Sequence, residues 1–214
     1  PAVILDKVFR QSEGSLVAEN AQRIRHGVSE LDFSDDFQFW ASADEVQSAQ
    51  YLMRLYKREV ARFGVDNVAL LTPFRKKSET GVYSLNAALH DEVNPAVPGK
   101  AEIEVGQRVL RVGDKVMQIK NNYQIEWEIV GRYNIPIDKG MGVFNGDMGR
   151  VKEINDTMST LLVEFDDGRR VNYPFSALEE LELSYAITIH KSQGSEYPAV
   201  ILPLLGGPRM LVNR

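Results

Sequence analysis

The sequence predicts an α/β fold in which a parallel sheet with crossover helices is interrupted by a small inserted β-barrel. Three observations predict it. Strand-like and helix-like signals alternate over the first hundred residues, and closely spaced turns with short β-rich runs take over from about residue 100. Buried-strand composition then returns at residues 184–188 and 198–204, with a polar connection between the two runs.

Val3, Ile4 and Leu5 open the chain as a short buried-strand run. Ser15 to His26 reads as a helix closed by Gly27. Phe37, Gln38, Phe39 and Trp40 alternate as a strand does. Ser42 with Glu45 three residues on forms a capping box, after which Val46, Ala49, Met53, Tyr56, Val60 and Phe63 repeat at helical spacing up to Gly64. Val68 to Leu71 is a buried strand that Thr72-Pro73 must end, because proline cannot donate to a ladder. A basic loop with Arg75, Lys76 and Lys77 follows, then a helix from Val82 to Glu92 that Asn94-Pro95 breaks. The second texture has turns at Gly113-Asp114, Asn145-Gly146-Asp147 and Asp166-Asp167-Gly168, and strands at 116–119, 161–165 and 169–173, the last two forming a hairpin. The expected division is residues 1–110 with 181–214 in the α/β domain and 111–180 in the barrel.

A composition of 43% hydrophobic and 26% charged residues over 214 positions excludes a disordered or fibrous chain. With no cysteine and three histidines, disulfides, thiol nucleophiles and cysteine zinc sites are excluded, and no metal-ligating set is expected. No apolar run reaches the roughly 18 residues that span a bilayer, so a membrane partner is not expected, and the expected compartment is the cytoplasm. The net charge of −5 is concentrated: Glu30, Asp32, Asp35, Asp36, Asp44 and Glu45 carry six acids with no base between them, and without them the remainder is +1. A basic groove elsewhere is therefore compatible with the overall acidity. The missing initiator Met and the apolar end from Met210 to Arg214 suggest a fragment of a longer chain.

The string from Thr188 to Glu196 is the most informative. Most of its side chains donate or accept hydrogen bonds, and it follows a strand, where open α/β sheets place their ligands. Gly194 permits close backbone approach to a phosphate or ribose, while Thr188, His190 and Ser192 offer short-range donors. Spacing alone does not separate this reading from a solvated connector.

Tyr185-Ala186-Ile187-Thr188-Ile189-His190-Lys191-Ser192-Gln193-Gly194-Ser195-Glu196 resembles motif V of superfamily 1 helicases of the RecD-like group, the α chain of exodeoxyribonuclease V and its relatives. Lys7 to Gln11 resembles the arginine-bearing motif IV, and Leu71 to Arg75 with Gly81, Leu85 and Asn86 resembles the segment that follows it. Val112 to Gln118 and Val143 to Gly149 look like the start and middle of the inserted SH3-like barrel, and Met210 to Arg214 resembles the first residues of motif VI.

The resemblance implies a second RecA-like motor domain, with helices on both faces of its sheet and an SH3-like insertion, separated from the first motor domain. The chain has no G-x-x-x-x-G-K-[ST] phosphate loop, and Asp91-Glu92 lies on a helix flank with Leu85 and Leu89. ATP and Mg²⁺ are thus expected to be held mainly by the first motor domain, and this chain alone is expected to be inactive as an ATPase. By resemblance, Arg10 is the catalytic cation that meets charge on the γ-phosphate, and Gln11, Gly194 and Glu196 face the nucleotide. Thr72, Arg75, Asn86, Thr188, His190 and Lys191 face single-stranded DNA, as do Lys120 and Tyr123 from the barrel. An ordinary surface arginine at position 10, a loop-bracing His190, solvated Lys191 and Arg75 to Lys77, and Tyr123 or Trp127 as barrel core are the plainer alternatives. The expected parent is a DNA helicase of repair or recombination, with 5′-to-3′ polarity by resemblance only. Its partners are single-stranded DNA, its own first motor domain and other subunits of a nuclease-helicase complex. The rival reading is a non-catalytic module that binds nucleic acid or protein.

Overall fold

The computed structural model describes residues 15–76 and 79–204. Val3 to Leu5, Arg10, Gln11, Lys77 and Met210 to Arg214 lie outside the described residues. Residues 15–43 belong to one unit and residues 44–204 to another.

In the first unit the expected helix forms as α1 (Leu16–Arg25), preceded by Ser15 in extended conformation and followed by Gly27 at φ +78°. Its N-terminus is satisfied from a distance, because the Leu16 N–H and the Ser15 hydroxyl both donate to the Asp36 carboxylate at 3.1 Å. Donation from Ser34, then from Ser15 and Leu16, holds Asp36 below the ordinary carboxylate range. Phe37 to Trp40 does not form the expected strand. Ser34 and Phe37 instead exchange backbone hydrogen bonds in a turn, and the Phe33, Phe37 and Phe39 rings gather at 6.0 to 6.1 Å. The aromatic alternation met no ladder among the described residues, and pairing, not alternation, makes a strand.

The second unit begins with α2 (Glu45–Phe63). Its cap is Asp44 and not Ser42: the Asp44 carboxylate accepts from the Gln47 N–H at 2.8 Å. Glu45 reaches instead to the N–H and hydroxyl of Thr80, at 3.4 and 3.3 Å. Gly64, at φ +82°, ends the helix as expected. Then come β1 (Val68–Thr72) and α3 (Val82–Val93), both as the sequence predicts.

An unanticipated hairpin follows, β2 (Glu102–Val105) with β3 (Arg108–Arg111), turning at Gly106. The remaining strands are β4 (Lys115–Gln118), β5 (Asn122–Val130), β6 (Pro136–Val143), β7 (Met148–Asn155), β8 (Thr160–Phe165), β9 (Arg169–Pro174), β10 (Leu181–Leu183), β11 (Ala186–Thr188) and β12 (Ala199–Ile201).

Two sheets organise this unit. β11, β1 and β12 form a parallel sheet in that order, with Thr72 opposite Thr188 and Leu70 opposite Ile201. α2 packs against β1 and β12, and α3 against β11. The larger sheet is antiparallel, seven strands in the order β10-β4-β7-β8-β9-β5-β6. It reaches past residue 180 to take in β10, whose Glu182 stands opposite Met117. The expected hairpin at 161–173 is β8 and β9, with Val163 opposite Val171. Alternation in β8 buries Leu161, Val163 and Phe165. Gly149 in β7 is dictated by packing, since a Cβ there would lie 2.5 Å from the Glu164 carbonyl oxygen.

One buried apolar cluster runs through both sheets, from Leu52, Tyr56 and Leu70 to Val163, Phe165 and Tyr173. A buried polar knot joins them as well. Asp114, fully buried, accepts from Asn94 (2.6 Å), the Tyr185 hydroxyl (2.9 Å), the Arg111 N–H (2.7 Å) and His90 Nε2 (2.9 Å). The four donors come from α3, its C-cap, β3 and the residue before β11, so the carboxylate ties the start of β4 to all of them.

Candidate nucleic-acid interface

β1 and β11 end side by side, and the loops that leave them carry most of the predicted site. Open parallel sheets present ligands at this carboxyl edge. Arg75 and Lys76 follow β1; Thr188 ends β11 and leads into a 3-10 turn, Ile189–Ser192, that holds His190 and Lys191. The turn is tied by the Ser192 hydroxyl donating to the Ile189 carbonyl at 2.8 Å. Thr188 is half-buried and His190 exposed.

Arg75 donates to both oxygens of Glu182, at 3.0 and 3.3 Å, and the Tyr83 hydroxyl donates to the same carboxylate at 3.2 Å. The neighbouring Glu182 raises Arg75 above its ordinary pKa. Arg75 and Lys76 also lie over the Tyr83 ring, at 5.8 and 5.6 Å. Lys191 is half-buried, and burial pushes its ammonium below the usual lysine range; Glu182 opposes that shift and Arg75 adds to it.

Two predicted residues are not presented to a ligand. Thr72 is fully buried, its hydroxyl donating to the Thr80 carbonyl at 2.8 Å and accepting from the Phe74 N–H at 3.2 Å. Its work is to shape the basic loop. Asn86 is 5% exposed; its amide donates to the carbonyls of Leu183 and Ala186 at 2.9 Å each and accepts from the Ala186 N–H at 2.8 Å. One of these bonds reaches β10 and two reach β11, so the side chain is a brace between the sheets.

Gly194 adopts φ +89°, which is why a glycine stands there, and the space a Cβ would take is open. Glu196, with Ser195 and Tyr197, lines a cavity of about 590 Å³ facing Asp66, Asp147, Asp166 and Asp167. Burial raises the Asp166 carboxyl. Arg150 pairs with Asp66, and Arg169, which shares the lining, pairs with Asp147 and Asp167, so most of these carboxylates are already matched by a guanidinium.

A second group lies on the larger sheet, at the start of β5 and the loops beside it. Tyr123 is 66% exposed and therefore surface, its ring edge-on to Phe144 at 5.8 Å. Asn121 accepts from the Asn145 N–H at 2.9 Å, which ties this loop to the turn that carries Phe144, and Lys120 is exposed beside it. Trp127 is half-buried across the hairpin from Gly140, where a Cβ would fall 2.5 Å from the indole. Sequence reasoning missed Glu182, Tyr83 and Phe144. Phe144 had a signal, an aromatic beside an Asn-Gly-Asp turn, whereas Glu182 stands 107 residues from its arginine and had none. Among the described residues no group of three or more His, Asp or Glu could hold a metal ion, and no helix is long and apolar enough to cross a membrane.

The ATP-dependent RecD-like DNA helicase SH3 domain matches residues 85–165, and the UvrD-like helicase C-terminal domain matches residues 183–214. The ATP-dependent RecD2 DNA helicase of Deinococcus radiodurans is 30% identical over 201 residues, 94% of this chain. The chain is a relative of the RecD-like helicases. It spans 24% of the Deinococcus protein, and 13% of an uncharacterised Methanocaldococcus jannaschii protein that is 31% identical over 162 residues, 70% of this chain. A Pif1 helicase solved in work on unwinding of forked dsDNA aligns with TM-score 0.47 and 20% identity over 92% of this chain and 42% of its own. Bacteroides Pif1 in complex with ADP-AlF4 aligns with TM-score 0.37 and 20% identity over 92% and 44%. The RecD-like SH3 match begins on α3 and ends with β8, and the UvrD-like match takes in β11, β12 and the polar string between them.

Proposed function

We propose that this chain is the C-terminal motor part of a RecD-like ATP-dependent DNA helicase, a second RecA-like domain with its SH3-like insertion. The observation that carries the reading is the gathering of Arg75, Lys76, His190 and Lys191 on the loops at the carboxyl edge of the parallel sheet. Lys120 and Tyr123 on the insertion extend the same grip with one cation and one stacking ring. A translocating motor holds sugar and phosphate, so recognition is sequence-independent.

In this proposal ATP and Mg²⁺ belong mainly to the first motor domain, and Arg10 with Gln11, Gly194 and Glu196 completes the nucleotide site when the two domains meet. An arginine supplied across such an interface neutralises charge on the transferring phosphoryl group. The work is 5′-to-3′ movement on single-stranded DNA in cytoplasmic repair or recombination, alone or beside nuclease subunits.

The test is a fluorescence anisotropy titration of the purified chain with a short labelled oligothymidylate from 50 to 200 mM salt. Affinity is expected to fall with salt by a log–log slope of about 0.7 for each phosphate contacted. Tyr123→Ala is expected to weaken binding about tenfold through loss of one stacked base. Binding that ignores salt, or no binding at all, would turn the reading toward a protein-recruiting module.

A further inference from the structure

The cation cluster at the sheet edge contains its own anion. The Glu182 side chain is 13% exposed and fixed on β10, paired opposite Met117 and held between Arg75 and the Tyr83 hydroxyl. Arg75 is 49% exposed and sits on a loop, so of the two partners the carboxylate is the anchored one and the guanidinium the movable one. Lys191 stands within electrostatic reach of both. The geometry around Glu182 is that of a bound phosphodiester oxygen pair: two oxygens taken by one guanidinium and a hydroxyl donor.

We infer that Glu182 is an internal stand-in for a backbone phosphate, which keeps Arg75 occupied until a nucleic-acid strand displaces it. The inference rests on the reading of these loops as a nucleic-acid grip and adds its regulation. A polyanion must outcompete an intramolecular carboxylate for Arg75, so weak or transient anions are rejected while a strand that also engages Lys76, His190 and Lys191 is accepted. Displacement leaves the carboxylate beside the strand, where its repulsion favours release and hence stepping along the strand over clamping.

The experiment compares the 214-residue chain with Glu182→Gln, Arg75→Met and the double variant, using the labelled oligothymidylate and, separately, ATP with Mg²⁺ as probes. Glutamine keeps the size and an acceptor oxygen while removing the charge. Glu182→Gln is expected to bind the oligonucleotide about two- to fivefold more tightly, the scale of one exposed ion pair, with a salt slope steeper by up to about 0.7. Arg75→Met is expected to abolish that gain, and to weaken binding less in the wild-type background than in the Glu182→Gln background, which the double variant reports. Salt-dependent binding that Glu182→Gln leaves equal or weaker would overturn this inference and leave the grip intact. A gain confined to ATP would also overturn it. No binding by the wild-type chain would overturn both readings together. Arg75→Met alters an exposed loop residue, so its comparison with wild type stands even where Glu182→Gln does not fold.

Discussion

At the junction with the seven-stranded sheet, Asp114 is fully buried and surrounded by four donors from three parts of the chain. At the carboxyl edge of the parallel sheet, an arginine that is half in solvent reaches across to Glu182 on β10, which a tyrosine that is 39% exposed also meets. Both are carboxylates paired with cationic or polar groups, yet a buried charge stripped of partners is far more costly than an exposed one. The first arrangement fixes a joint. The second leaves its cations within reach of another anion. The difference separates charges that build the fold from charges available for binding.

The largest effect should come from the knot. Asp114→Ala leaves the His90, Tyr185, Asn94 and Arg111 donors facing a void, with an expected loss of about 3–5 kcal/mol in urea unfolding. Arg75→Met, by contrast, leaves Glu182 the Tyr83 hydroxyl as a donor and should cost about 1 kcal/mol or less. Similar losses for the two would break the contrast between joint and edge.

Asn86→Ala comes next. It removes three buried hydrogen bonds from α3, one to β10 and two to β11, and should cost about 2–3 kcal/mol, read from the same unfolding curves. Its affinity for oligothymidylate, measured on folded protein, should stay within about twofold of wild type. A loss of affinity without a loss of stability would return Asn86 to the DNA-contact role that its burial argues against.

Local signals made much of this fold legible. The helical repeat from Val46 to Phe63, the turn at Asp166-Asp167-Gly168 and the Thr72-Pro73 stop each depend on neighbours in sequence, and each appears where expected. What failed depended on partners far away. Phe37 to Trp40 had the alternation of a strand without a ladder among the described residues, and Ser42 lost the cap to Asp44, whose carboxylate reaches the Gln47 N–H. The hairpin of β2 and β3 went unread because Glu102 to Arg111 is rich in charge, and its Arg111 is satisfied by Asp91, Glu102 and the Asn94 carbonyl only after folding. At the site, Arg75 and Lys191 were visible as basic residues after strands. Thr72 and Asn86 are named by resemblance to a motif rather than by their chemistry, and only burial distinguishes a turn-shaping hydroxyl or a bracing amide from a ligand contact.

The smallest effects sharpen the comparison with one residue type in three places. Tyr56, Tyr173 and Tyr185 are all buried, and burial is the leading cause that raises each phenol above its ordinary value. Tyr173 donates to Gln118 Oε1 and Tyr185 to Asp114 Oδ1, both at 2.9 Å, whereas the Tyr56 hydroxyl has no hydrogen-bond partner among the described residues. Tyr173→Phe and Tyr185→Phe should therefore each cost about 1–2 kcal/mol at pH 7, while Tyr56→Phe should be neutral or stabilising by up to about 1 kcal/mol. Alkaline pH treats the three alike. Above about pH 10 the unfolded chain releases phenolic protons that the folded chain keeps, so stability falls as pH rises. Each Tyr→Phe should remove up to about 1.4 kcal/mol per pH unit from that fall, whatever it does at neutrality. Urea midpoints at pH 7 and above pH 10 separate the two contributions. A neutral-pH cost for Tyr56→Phe as large as that for Tyr185→Phe would mean that hydroxyl pairing is not what distinguishes the helix-packed core from the polar joint.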